Sequence, residues 1–556
     1  MTPATERREP RVKKRNRNAQ QAFDTQHVVV IGGGFSGLAT AGLLAASGHQ
    51  VTLLEQQKRL GGRAGRLERE GFTFDTGPSW YLMPEVIDHW FELMGTTTDH
   101  ALDLVALDPG YRIWFGKDGS SLDLSTGGFA DAAFESLQPG AGAALAEYRR
   151  KAQESYSLAL RHFLYDDFSS AKTFLNPQLV KLLPKLAPLL VGSLEKHVAK
   201  RFSDPRLRQI LGYPAVFLGS SPQRTPALYH LMSHLDLTEG VQYPQGGFAQ
   251  LVDAMVQICQ AAGVEIITDA RVEGIDVGAT TGTPRVEAVR WVNTATTGTK
   301  RHEVKADVVV GAADLHHIET ALLPPKFRAH SAVSWKRRDP GPSAVLVCLG
   351  VKGKLPQLNH HNLFFTRDWE ENFARVHEGR DLEPETSIYV CMPSHTDSSV
   401  APQGDENLFI LVPAPALPEW GCGGPDGTGS PHVEDVANAA IDQIAAWAGI
   451  PDLRERIVVR QSYGPEDFVN NVNAWRGGAL GLAHTLRQSA FFRPANHNPK
   501  VRGLHYVGSS VRPGIGIPMC LISAELVAKR INGIRTPGPF AFDSAEPAPL
   551  PRQAGQ

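Results

Sequence analysis

One stretch, VVVIGGGFSGLATAGLLAASG from Val28 to Gly48, limits the possible folds more than any other. Val28, Val29, Val30 and Ile31 form an unbroken β-branched run, the pattern of a strand covered on both faces. Glycines then end the strand, and small residues and leucines follow at helical spacing. QVTLLE, ending at Glu55, reads as a second buried strand. A strand, tight turn, helix and strand in this order predict a right-handed βαβ unit with parallel strands. The expected class is therefore α/β.

The turn carries chemistry as well as geometry. Gly32-x-Gly34-x-x-Gly37 follows the strand and opens the helix. In such a turn the first glycine allows the bend, the second lets backbone approach a pyrophosphate, and the third lets helix pack on strand. The helix N-terminus offers free N–H groups and partial positive charge to phosphate. Glu55 ends the second strand, at the spacing of an acid that binds ribose hydroxyls. A carboxylate there repels a 2′-phosphate, so a dinucleotide without one is expected.

Bulk properties exclude other classes. Of 556 residues 42% are hydrophobic and 21% charged, and the formal net charge is -2, so no nucleic-acid partner is expected. Cys259, Cys348, Cys391, Cys422 and Cys520 are scattered without a C-x-x-C pair. Neither a disulfide framework nor a metal site is expected, and a reducing cytoplasmic setting is. The basic stretch before residue 25 has no apolar core like that of a signal peptide, and no run approaches the ~18 apolar residues of a membrane span. Residues 1–25 and 536–556 read as disordered tails. The basic residues from Arg7 to Arg17 form either a solvated tail or a tether to an anionic membrane surface.

Further along, GGFAQLVDAMVQICQAAG reads as a helix, VEIITDARVEGIDV as one strand, and VEAVRWV and ADVVVGAA as two more. LHYVGSSVRPGIGIPMCLISAEL repeats the strand–turn–helix grammar near the C-terminus. LGGRAGR, Leu60–Arg66, resembles the second motif of the flavoprotein family of amine oxidases, protoporphyrinogen oxidase and carotenoid desaturases. That resemblance implies FAD, with Gly61, Gly62 and Arg63 against its phosphate and ribose. It also implies that later segments return to complete the cofactor domain. Val272 would lie near the adenine. Gly508, Pro513, Gly514, Gly516 and Ile517 would lie at the flavin ring.

FTFDTGPSW, VQYPQGGFAQLVDAM, HHNLFFTRDWE, PSHTDSSVAPQGDENLFILVPAP and GLAHTLRQSAFFRP occur in order. They resemble segments of bacterial- and fungal-type phytoene desaturases. The resemblance implies an FAD-dependent oxidoreductase acting on CH–CH groups, with stepwise dehydrogenation of phytoene towards neurosporene- or lycopene-type products. Diapophytoene desaturase, carotenoid 3,4-desaturase, a retinol-saturase-like enzyme and, further off, an amine oxidase remain alternatives. The expected architecture is a discontinuous Rossmann-like FAD-binding domain (26–120, 242–320, 499–535) plus a mixed α+β substrate domain (121–241, 321–498). Where family members read Thr-His-Pro-Gly, this chain has Val511-Arg512-Pro513-Gly514. Asp75, Asp314 and Arg512 are the candidates for catalytic chemistry; the two aspartates equally suit turn caps. The substrate would be a membrane-dissolved carotenoid. Leu179–Phe202 reads either as a broken amphipathic helix on the membrane or as a core-facing helix pair. Peripheral membrane association is expected, and an oligomer is compatible with the sequence.

Overall fold

The computed structural model describes residues 25–166, 187–278, 282–295 and 300–542. Its organising element is a five-stranded parallel sheet in the order Leu504–Tyr506, Val308–Gly311, His27–Ile31, Gln50–Leu54, Glu265–Ile267. All its pairings are parallel. The valine run of the first strand alternates between two cores. Val28 and Val30 pack under helices Phe35–Ala46, Phe248–Ala261 and Ile517–Ile531. Val29 and Ile31 pack against an antiparallel sheet of Ala270–Gly278, Arg285–Asn293 and Arg301–Lys305. Both faces are covered, which is why the run is apolar without alternation.

One expected strand is two. VEIITDARVEGIDV divides into Glu265–Ile267 in the parallel sheet and Ala270–Gly278 in the antiparallel one. The break falls at Asp269, whose φ of 53° is left-handed, a conformation that aspartate tolerates better than most residues. The chain thereby changes sheets within two residues.

The second large sheet has seven strands, in the order Ile457–Tyr463, Ser343–Val351, Glu406–Ala414, Ile388–Cys391, His361–Phe364, Tyr111–Trp114, Ser121–Leu124. Helix Pro431–Trp447 covers one face. Tyr111–Trp114 pairs with Ser121–Leu124, so the domain boundary expected at 120 lies inside a hairpin of this sheet. Helices Ala141–Ala159, Leu194–Ala199 and Pro205–Gly212 share a further core with Tyr111, Ile113 and Phe365.

Two expectations about surface segments need correction. Of the proposed amphipathic stretch, residues 179–186 lie outside the described residues. Leu194, which the membrane-lying alternative would place on its apolar face, is 1% exposed and packs with Tyr148, Phe202 and Leu211, as the core-facing alternative expects. The helix restarts at Ser193, whose hydroxyl caps Lys196 N–H, so Leu194 does not continue the earlier leucine register. The C-terminal tail, expected to be disordered from 536, is docked as far as 542. Phe540 is 1% exposed, its N–H donates to Glu525 at 2.8 Å, and Lys529 Nζ donates to the carbonyl of Gly538 at 2.6 Å.

Candidate cofactor site

The glycine turn is closed by backbone. Gly32 N–H donates to the Leu54 carbonyl, and a Cβ on Gly37 would stand 1.9 Å from the Gly32 oxygen. Gly37 is thus required by helix–strand contact. Gly34 is different: a Cβ there would meet nothing closer than 3.8 Å, and its φ of -76° suits any residue. Its lack of a side chain keeps the helix N-terminus open to a ligand. No side chain caps that helix, so its first N–H groups remain available.

Glu55 stands where the sequence places it, at the end of the second strand. It is 6% exposed and accepts N–H bonds from Gly33 at 2.7 Å and Gln57 at 2.8 Å. Burial nevertheless raises its pKa above the ordinary carboxylate range. Ala270 N–H docks on the Glu55 carbonyl, which brings the strand containing Val272 alongside. Val272 itself is 8% exposed and belongs to the core shared with Ile31 and Leu54.

The second motif lies directly on the first. Gly61 pairs with Gly34 as a parallel bridge, and its N–H donates to the Gly33 carbonyl at 2.9 Å. Gly62 is left-handed at φ 59°, with the Gly34 Cα 3.2 Å from where its own Cβ would be. Arg63 follows. Its Nε and one terminal nitrogen are buried without a hydrogen-bond partner. Donors of a cation buried without an acceptor are costly unless a ligand supplies one, and the arginine fork suits a phosphate. The residues therefore fit a dinucleotide pyrophosphate.

The C-terminal motif packs against the same first helix. Val507 N–H donates to the Gly311 carbonyl, and Gly508, at φ 110°, passes so near Ser36 that a Cβ would come within 3.1 Å of its hydroxyl. Arg63 and Arg493 both act electrostatically on Cys520, in the first turn of helix Ile517–Ile531; burial pushes that thiol up to about 11. This turn follows Pro513, Gly514 and Gly516, and Pro518 pre-sets its backbone. Backbone contacts thus bring together the Gly32–Gly37 turn, Glu55, the Gly61–Arg63 segment and Gly508, the residue that opens the C-terminal turn.

Two residues that hold this turn carry no role in the sequence reading. Arg493 is 1% exposed and donates to the carbonyls of Leu482, Gln488, Ser509 and Val511. His484 Nε2 accepts the Ile515 N–H at 3.2 Å, while its Nδ1 lies 2.5 Å from the Tyr229 hydroxyl. Both lie in GLAHTLRQSAFFRP. The signal was there, since a motif with a His and an Arg among apolar residues points to buried polar anchors.

The candidate acids are turn caps. Asp75 accepts the N–H groups of Phe248 and Ala249, and its pKa is raised to about 6 by burial. Asp314 caps His316 and His317. Arg512 donates to the Phe491 carbonyl at 2.7 Å.

Comparison with known proteins agrees with this geometry. Residues 35–532 match the family of flavin containing amine oxidoreductases. The chain is 41% identical to a carotenoid 3,4-desaturase of Haloarcula japonica, covering 91% of this chain and 98% of that protein. It is 32% identical to a zeta-carotene-forming phytoene desaturase of Myxococcus xanthus, covering 91% and 94%. An oxidoreductase structure from Methanosarcina mazei superposes with a TM-score of 0.58 at 16% identity, over 90% of this chain and all of that one.

Proposed function

The chain belongs to the flavin containing amine oxidoreductase family, and on that premise we propose that it is an FAD-dependent carotenoid desaturase, an oxidoreductase acting on CH–CH groups. The relatives sharing 30% or more identity named here are carotenoid and phytoene desaturases, not amine oxidases. The observation that carries the reading is the near full-length similarity to those desaturases, joined to the close approach of Gly34 to Gly61 and of Gly508 to Ser36.

In each step two hydrogens leave neighbouring carbons, one with its electron pair and one as a proton. Bound FAD supplies the acceptor for the electron pair. The protein's own groups bind and orient. The N-terminus of helix Phe35–Ala46 and Arg63 would hold the pyrophosphate, and Glu55 would hold the ribose. The N-terminus of helix Ile517–Ile531 would favour negative charge arising on the ring. His484 and Arg493 fix the turn that precedes that helix.

The higher identity to the Haloarcula japonica protein favours a carotenoid desaturated at the 3,4 bond. Phytoene is the second reading, supported by the Myxococcus xanthus and fungal relatives. Expression in bacteria that accumulate either phytoene or lycopene separates the two. New pigment lighter by two hydrogens per step, from lycopene alone, supports the first. Pigment from phytoene supports the second, and unchanged pigment in both strains overturns the assignment.

No helix among the described residues is long and apolar enough to cross a membrane. Leu486, Phe491 and Phe492 are exposed at 45%, 39% and 58%, close in sequence to the anchors of the ring turn. These exposed side chains support peripheral contact with the membrane that dissolves the substrate. The double substitution Leu486→Glu and Phe492→Glu should reduce flotation with anionic liposomes; unchanged flotation counts against this contact.

A further inference from the structure

Away from the cofactor cleft, two histidines and a cysteine converge in the seven-stranded sheet. His361 and Cys391 are direct partners on neighbouring antiparallel strands, and His360 immediately precedes His361. One ring nitrogen of each histidine and the Cys391 sulfur lie within 4.8 Å of one another. The three residues are 2%, 0% and 2% exposed.

The rings are held from outside. His360 Nδ1 lies 2.8 Å from the Thr396 hydroxyl, and His361 Nδ1 lies 2.8 Å from the Tyr389 hydroxyl. In both rings Nε2 is buried with no hydrogen-bond partner. Buried ring nitrogens are normally satisfied, so two orphans in one such cluster call for a ligand. Metal-binding imidazoles have this form, with one nitrogen oriented by a hydrogen bond and the other left for the ion. We propose that His360, His361 and Cys391 bind a single zinc ion.

Two imidazoles and one thiolate suit zinc, which takes a fourth ligand such as water. Zinc binding forms the Zn–S bond, breaks S–H and releases that proton to solvent. Asp75 acts electrostatically on Cys391, and Asp397 on His360, so two carboxylates offset the added positive charge. Trp80 stacks on His361 with centroids 4.8 Å apart. An ion at His361 would therefore fix the ring on which Trp80 rests.

The test uses the purified flavoprotein, loaded with zinc sulfate, gel-filtered and assayed by elemental mass spectrometry. The expected result is about one zinc per chain. Cys391→Ser and His360→Gln should each lower that several-fold with flavin content unchanged. Should either variant fail to fold, cobalt loading of the wild type decides. A sulfur-to-cobalt charge-transfer band in the difference spectrum supports the site. Loss of all zinc from the wild type on filtration, wild-type zinc content in Cys391→Ser, or a cobalt spectrum without thiolate character overturns it.

Discussion

Arg493 Nε donates to the Val511 carbonyl at 3.1 Å, which ties a segment outside the expected cofactor domain to the turn before helix Ile517–Ile531. Burial lowers its pKa to about 10, so it stays charged at neutral pH. Arg493→Met leaves four carbonyls without their donor, each worth roughly 1–3 kcal/mol when buried and unsatisfied. The variant should lose at least about 3 kcal/mol of stability. It should also release flavin more readily on gel filtration. Wild-type unfolding temperature and flavin retention would show that the turn holds its shape without this anchor.

The two glycines of the first turn should respond oppositely to the same change. Gly37→Ala drives a methyl to 1.9 Å from the Gly32 oxygen, and soluble folded protein should be largely lost. Gly34→Ala finds no protein atom within 3.8 Å, so the chain should fold yet bind flavin at least ten-fold more weakly. Circular dichroism and flavin titration separate the outcomes. A Gly34→Ala protein with full flavin content contradicts a pyrophosphate at that position.

Arg63 holds buried donors with no partner among the described residues. Arg63→Met should therefore leave the flavin-free protein as stable as the wild type, while the stabilisation gained on adding FAD shrinks. Thermal unfolding with and without FAD reads both. Equal stabilisation in the two proteins would remove Arg63 from the site.

Stability should also fall as pH rises, because of Glu85. This residue is 2% exposed, accepts a bond from the Tyr156 hydroxyl, and has its pKa raised to about 8 by burial and then by Glu239. An unfolded glutamate ionises near pH ~4.3. Between these values the folded state holds the extra proton. The group's contribution is thus full at low pH and lost as pH rises towards 8, by up to about 1.4 kcal/mol per unit. Glu85→Gln should flatten the decline in unfolding temperature between about pH 5 and 8. An unchanged slope would mean that Glu85 ionises normally in the folded protein.

Local sequence specified those parts of the fold whose causes are local. The valine run, the glycine turn and Glu55 announce a βαβ unit, and each residue stands where its spacing implies. The second motif was legible only by resemblance, because nothing local says that Gly61 will bridge Gly34. Asp269 hid a change of sheet inside an apparently continuous strand. The His361–Cys391 pairing was beyond spacing arguments, since strand partners distant in sequence are set by sheet register. The composition of the C-terminal tail suggested disorder, but Phe540 and the buried Glu525 override it through a tertiary contact.

The parallel sheet draws its edge strand, Leu504–Tyr506, from near the end of the chain, and helix Ile517–Ile531 packs on the first helix. This order has a consequence during synthesis. At about 5–20 residues per second, the ribosome needs roughly half a minute to nearly two minutes to deliver that helix. Until then the apolar flank of Phe35–Ala46 lacks its cover. The nascent chain therefore waits with an open core, a natural substrate for chaperones.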